Sequence, residues 1–492
     1  MWSKKIDVAL KGLFAVLLIG LIWSKFLLSA TQFFLIGLIF IFSWSRQAFF
    51  KALKEQLFWI LTSLYFFHLI GILWTNDLNY AWKDIRIKLP LLTMPIIFAS
   101  YRAWIKERKN YFLLFFGIVV FSYMMYSASI AIYLKQPLRD ILLLSHIRFS
   151  LMISFSFAIF MYYAYEKFSK KYFILFILLG AFLFATYLFF LASFTGYWSF
   201  LFVSFLLLIY FFFKKQKKYF FLSGLIFFFF GFYLVKEIVY VKKTCFPTYG
   251  FFTVDTPREN GHPTYENLEA ETIISAWNKR SIHTISSSTD SLFHTLVRYL
   301  ASKGLPGNDQ GVLMLTSSDV HNIENGMSNH LIPSFNYTQK RLYEIFWEWY
   351  AYLFGKEYTG HSFTQRLKLW EVGLTIFKNH WIFGVGTGDI QQEFVLLSQT
   401  GQLHFLHNKI LRTHQQYISI AIQLGIIGLL LLILLTFYPL ICAIKQKDIL
   451  FIIFALLLII SMLYEDTLES QVGVSFFAIF TSFFSYQTCS KT

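Results

Sequence analysis

Charge is scarce in this chain. Only 14% of its 492 residues are Asp, Glu, Lys or Arg, where a soluble domain carries roughly a quarter. Cysteine is scarcer: Cys245, Cys442 and Cys489 are the whole set. Cys442 falls in an apolar run and Cys489 in the tail, so no disulfide framework is implied. No zinc-ligand spacing is present either. The net charge of +16 comes without a basic groove-reading motif, which argues against nucleic acid as a partner. The chain has no internal repeat and no low-complexity tract beyond its phenylalanines. No small-residue cleavage site follows M-W-S-K-K-I-D, so the first apolar run reads as a retained helix rather than a signal peptide.

Apolar residues fill the space that charge leaves. The hydrophobic fraction is 57%, and Phe alone contributes 61 residues. Apolar runs of about 17–25 residues recur, which defines an all-α polytopic membrane protein. The runs are continuous rather than alternating, which excludes a transmembrane β-barrel. Spans are expected near 8–27, 31–44, 57–74, 89–99, 112–134, a run ending at 165, 173–192, 198–213, 220–235, 417–444, 449–464 and 472–486. Basic residues gather at every second turn: Arg46/Lys51/Lys54, Arg102/Lys106/Arg108/Lys109, Lys167/Lys170/Lys171, Lys214/Lys215/Lys217/Lys218 and Lys445/Lys447. The positive-inside pattern places these turns in the cytoplasm, giving about twelve spans with both termini inside. Three parts follow: N-terminal helices over 1–235, a large outer loop over 236–416, and closing helices over 417–492. The outer loop is too long for an unstructured connection. It contains helical pieces, among them Q-K-R-L-Y-E-I-F-W-E-W-Y and a segment ending at Gly304, and a small folded cap is expected.

Chemistry concentrates between Gly360 and Gly428. Arg366 and Trp370 lie one turn apart on an expected helix. Two readings are open: a snorkelling arginine with a belt tryptophan, or a guanidinium clamp for phosphate oxygens. Gly384, Gly386 and Gly388 form the bend G-V-G-T-G. It lacks the G-K-[ST] of a P-loop and no strand precedes it. It is either a plain turn or a cradle offering backbone N–H groups to an anion. His414 stands just before an apolar span, with Arg412 before it and Gln415 after it. It is a structural histidine or a base acting near neutral pH. His361, His404 and His407 are near in sequence and compete for the role. Arg148 and Lys88 sit at the mouths of spans, where charges either snorkel or line a functional cavity. Glu465, Asp466 and Glu469 form an acidic cluster on the same outer side. They pair with the arginines, orient His414, or stand solvated.

Three stretches carry a family resemblance: T-Q-R-L-K-L-W-E-V-G, W-I-F-G-V-G-T-G-D and R-T-H-Q-Q-Y-I-S-I-A-I-Q-L-G-I-I-G. Supporting matches are S-H-I-R-F-S-L-M-I, L-P-L-L-T-M-P-I-I-F and L-Y-E-D-T-L-E-S-Q-V-G-V-S-F-F-A-I-F. Together they resemble the O-antigen ligase/O-antigen polymerase superfamily of bacterial envelope glycosyltransferases, most closely its Bacteroidetes-like members. The resemblance implies a GT-C-like helical fold with a large periplasmic loop in the inner membrane. It implies a donor glycan on undecaprenyl diphosphate, lipid A-core or another glycan as acceptor, and no cofactor or required metal. It places Arg366 and Arg148 at the diphosphate, with Lys88 a looser match, and His414 at the catalytic position. Arg412 is assigned with the diphosphate residues. Glu465, the three glycines, Gln415 and Trp370 are assigned as supports. One departure is Phe194 in S-F-T-G, where many members carry arginine. A polymerase, a protein O-oligosaccharyltransferase and a lipid-linked glycan transporter are the rival readings.

Overall fold

The computed structural model describes residues 4–167, 170–250, 257–354, 362–399 and 412–489. It forms two compact units, one of Met1–Phe228 with Arg366–Thr492 and one of Phe229–Gln365. His361, His404 and His407 lie outside the described residues.

The first unit is a bundle of apolar helices. Seven described helices are long and apolar enough to cross a membrane, or eight if a bent pair counts as one span. The bent pair is Lys25–Ile41 with Ser43–Ala52, which turns through 102° at Phe42. The run expected as a fourth span is the 11-residue helix Pro90–Ser100. It reaches roughly 16 Å at 1.5 Å per residue, about half a bilayer core. Ile449–Ser461 is also short, at 13 residues.

The phenylalanines explain how the bundle closes. The helix Gln471–Thr488 is buried at nearly every position. Its rings meet those of Lys109–Leu134, His146–Lys167 and Ile449–Ser461. Phe480 lies 4.6 Å from Phe116, Phe483 lies 4.5 Å from Phe112, and Phe484 lies 4.9 Å from Phe451. Edge-to-face and offset pairs of this kind add about 0.5–1.5 kcal/mol each beyond area burial. A helix wrapped by protein need not be uniformly apolar. This one carries Ser475, Thr481, Ser482 and Ser485 in its buried face.

The second unit has a core of its own around Ile273, Trp277, Phe293, Leu296, Val297, Leu300, Val312 and Ile323. Local sequence sets its elements. Thr316 and Asp319 form a reciprocal capping box that starts Ser317–Glu324, and Asn336 with Gln339 starts Tyr337–Leu353 in the same way. Each box satisfies two otherwise orphaned N–H groups. Asn260 and Gly261, both at positive φ, turn a two-stranded hairpin pairing Arg258 with Pro263, as Asn-Gly turns do. Glu259 is sealed beneath it, accepting from Arg298 at 2.8 Å and Asn329 at 2.9 Å.

Candidate functional site

A broken helix organises the site. The helix Gln416–Gln446 is interrupted at Gly425, with φ 64° and ψ −161°, a conformation open almost only to glycine. The break frees backbone groups that an intact helix would pair internally. The glycine bend takes them up: Val385 N–H donates to Ile422 O at 2.9 Å, and Gly386 N–H to Gln423 O at 3.0 Å. In return Ile426 N–H donates to Trp381 O at 2.8 Å. A side chain at Gly384 would strike the Gln423 backbone at 2.4 Å. The remaining donors are spent too, Thr387 N–H on Gly71 O at 3.3 Å and Gly388 N–H on the Thr75 hydroxyl at 3.1 Å. Of the two readings of Gly384, Gly386 and Gly388, these bonds favour the plain turn over the anion cradle. Their N–H groups are consumed by protein carbonyls and a hydroxyl, and the bend is a splint for the kink.

Asp389 closes that splint. Its carboxylate accepts from Asn76 N–H at 2.9 Å and Asp77 N–H at 2.8 Å, and from the Asn76 amide at 3.1 Å. This ties the bend to the short helix Leu78–Lys88, which carries Tyr80, Asp84 and Lys88.

The cations then converge on one loop, 462–470, between Ile449–Ser461 and Gln471–Thr488. Arg366 donates to Tyr464 O at 2.9 Å, Arg148 to Asp466 O at 3.1 Å, and Arg412 to Glu469 O at 2.8 Å. Three guanidiniums from three separated segments thus hold the carbonyls of one turn. Its carboxylates answer them. Glu465 lies 3.5 Å from both Arg148 and Arg366. Glu469 lies 3.4 Å from Arg412 and 3.0 Å from Lys88. Burial alone would push the Glu469 carboxyl up, but Lys88 and Arg412 hold it down at about 2.

Lys88 is fully buried. Its ammonium meets both Asp84 oxygens at 2.6 Å and Glu469 at 3.0 Å, which accounts for its three protons. Direct contact between Lys88 and a diphosphate is corrected accordingly: the residue anchors Glu469 and has no proton left for a ligand. Arg412 also gives one hydrogen bond, 3.0 Å, to the Tyr80 hydroxyl.

His414 stands beside this network in the left-handed region, at φ 53°. Three contacts fix that backbone. Its N–H donates to Asp466 Oδ2 at 2.9 Å, Trp370 Nε1 donates to Thr413 O at 2.8 Å, and the Thr413 hydroxyl pairs with Ser419 at 2.7 Å. Gln415 is a helix cap, its side chain accepting from Ile418 N–H at 2.5 Å. The imidazole itself is 45% exposed, with Nδ1 3.9 Å from Asp466, beyond hydrogen-bond reach. Partial burial, then Arg366, Arg412 and Arg148, lower its pKa to about 4. The ring is neutral at pH 7 and available as a proton acceptor. Burial, then the neighbouring Glu469, lifts the Asp466 carboxyl to about 7.

The structure brings together Arg148, Arg366, Arg412, His414, Glu465 and Trp370, with Lys88 beneath them. It sets the glycines and Gln415 to one side as scaffold. Asp84, Tyr80 and Asp389 escaped sequence reading. The Asp84–Lys88 pair has an i,i+4 spacing that could have exposed it, and Asp389 stands directly before a helix, as N-caps do. Among the described residues, no three His, Cys, Asp or Glu side chains group as a metal site.

Fold and site define a polytopic helical membrane protein with an arginine-ringed histidine on a non-helical turn. Residues 311–433 match the family model for O-antigen ligase, a stretch that includes Arg366, the glycine bend, His414 and the kink. That match supports the O-antigen ligase superfamily for this stretch of the chain. No curated protein matches the chain.

Proposed function

We propose that the protein transfers a glycan from undecaprenyl diphosphate to lipid A-core at the periplasmic face of the inner membrane, with His414 as general base. The observation that carries this reading is a half-exposed imidazole kept neutral among three arginines. The acceptor hydroxyl attacks the anomeric carbon and passes its proton to His414. The bond from that carbon to the diphosphate oxygen breaks, and the diphosphate leaves with the electron pair. Arg366 and Arg148 stand where that growing negative charge is stabilised, as fixed donors do best in a partly desolvated site. Arg412, locked by Glu469 and Tyr80, adds positive charge and keeps the ring unprotonated. Lys88 acts through Glu469 as a positioning residue.

The test is transfer by purified protein in lipid, supplied with undecaprenyl-diphosphate glycan and lipid A-core. Glycan moves to lipid A-core in the wild type, and His414→Ala lowers the rate by about 10²–10⁴-fold while remaining folded. Near-normal turnover in that variant removes His414 from the role. Longer chains that stay on undecaprenyl diphosphate make the enzyme a polymerase with the same donor chemistry.

A further inference from the structure

Glu465 occupies an unusual place for a carboxylate in a site proposed above to take a diphosphate. Its side chain is 7% exposed and lies between two guanidiniums carried by different helices. One oxygen is 3.5 Å from Arg148 and the other 3.5 Å from Arg366. Tight charge-assisted contacts run at about 2.7–2.9 Å, so the carboxylate bridges both cations loosely and satisfies neither. Each guanidinium takes its closer contact from a backbone carbonyl instead, at 2.9 Å for Arg366 and 3.1 Å for Arg148. Arg148 Nε is buried and has no hydrogen-bond partner among the described residues. The pair therefore has donor capacity in reserve, with one monovalent anion between two cations.

We propose that Glu465 is an internal stand-in for the donor's phosphate, neutralising Arg148 and Arg366 in the donor-free enzyme and giving way when phosphate oxygens arrive. This rests on the diphosphate reading above. Without a counter-anion, two neighbouring guanidiniums would repel and drift apart. With Glu465 between them they stay at a spacing that a larger, more highly charged anion can take over. Burial already raises the Glu465 carboxyl, against the pull of the two arginines, so its charged form is poorly held and readily displaced. The same competition speeds release of the diphosphate product. Glu465 thus trades donor affinity for turnover.

The experiment is binding of inorganic pyrophosphate to the full chain in detergent micelles, followed by isothermal titration. Glu465→Gln removes the competing charge and keeps the side chain's shape. It should bind pyrophosphate about ten-fold more tightly than the wild type. In the transfer assay it should lower KM and kcat together, because product leaves slowly. A purely structural role for Glu465 would not tighten binding. Equal or weaker binding by Glu465→Gln overturns the proposal. If that variant is not monodisperse, Glu465→Asp withdraws the carboxylate by one methylene and should tighten binding by roughly two- to three-fold; equal or weaker binding there overturns it as well. Arg366→Ala separates the two ideas. Pyrophosphate binding that Arg366→Ala abolishes and Glu465→Gln leaves unchanged preserves the diphosphate site and rejects the stand-in. No binding in any of the proteins rejects both.

Discussion

His414 and Asp466 titrate in opposite directions from their ordinary values, and that predicts a pH profile. The imidazole pKa is lowered to about 4, so the base form persists well below the usual histidine range. The Asp466 carboxyl is raised to about 7, so its hold on the His414 N–H weakens as pH falls through neutrality. The rate kcat/KM should show two acid limbs, a shallow one near 7 and a steep one near 4. Asp466→Asn should erase the upper limb and keep the lower. A donor diphosphate beside the ring favours its charged form, so the lower limb of kcat should lie at higher pH than that of kcat/KM. One limb at about 6.5, unchanged by Asp466→Asn, would sink this account. Lys88 offers a second test at the same scale. Lys88→Met leaves Asp84 buried without its cation and should cost about 3–5 kcal/mol. Adding Asp84→Leu replaces the pair by apolar groups and should recover much of that loss. Thermal melting of both variants in detergent reads the difference, and equal melting points would show that the pair is not coupled.

Elements, rather than single residues, explain why the glycine bend matters. It repairs a helix that Gly425 breaks, and the repair needs close backbone approach on both sides. A β-carbon at Gly425 would lie 2.1 Å from Ile382 O and would sit at a backbone conformation costing about 1–3 kcal/mol for a non-glycine residue. Gly425→Ala should therefore yield little monodisperse protein by size exclusion. Gly37→Ala is the control: its β-carbon meets nothing within 4 Å in the interior of Lys25–Ile41. It should leave stability unchanged or raise it by up to about 1 kcal/mol, read as an equal or higher melting point. The bend itself was legible, because W-I-F-G-V-G-T-G-D interrupts an apolar pattern with three glycines. Its purpose was not. Whether those N–H groups face an anion or a carbonyl depends on a kink nearly forty residues away in sequence, inside a run that reads as uninterrupted apolar helix. Arg366, Arg412 and His414 stood out as polar groups beside apolar runs. Their common partner, the loop carrying Glu465, Asp466 and Glu469, was legible as an acidic cluster, with pairing to the arginines as one of three open readings. The pairing of each carboxylate with its cation is set by tertiary packing.

At the scale of the whole molecule, composition alone declared a helical membrane protein, since 14% charge cannot solvate a chain of this length. The number of spans was harder to read, for a physical reason. A helix enclosed by other helices, such as Gln471–Thr488, need not be apolar throughout, and a helix as short as Pro90–Ser100 can be apolar without crossing. Charge in the turns is the better guide to sidedness, and it yields the last prediction. The basic turn at Lys215, the helix at Lys83 and the second unit at Ser288 are all exposed. The three native cysteines are buried, so single cysteines placed at these positions report with little background. In intact cells, a maleimide that crosses the outer but not the inner membrane should label Lys83→Cys and Ser288→Cys. Lys215→Cys should react only after the cells are permeabilised. Lys83 lies on the helix whose Tyr80 and Lys88 contact Arg412 and Glu469, so labelling there tests the face on which the donor is to be presented. Labelling of Lys215→Cys alone would put that cluster in the cytoplasm. A donor assembled and flipped to the periplasm would then be out of its reach, and the proposed transfer would fail on topology before any chemistry is considered.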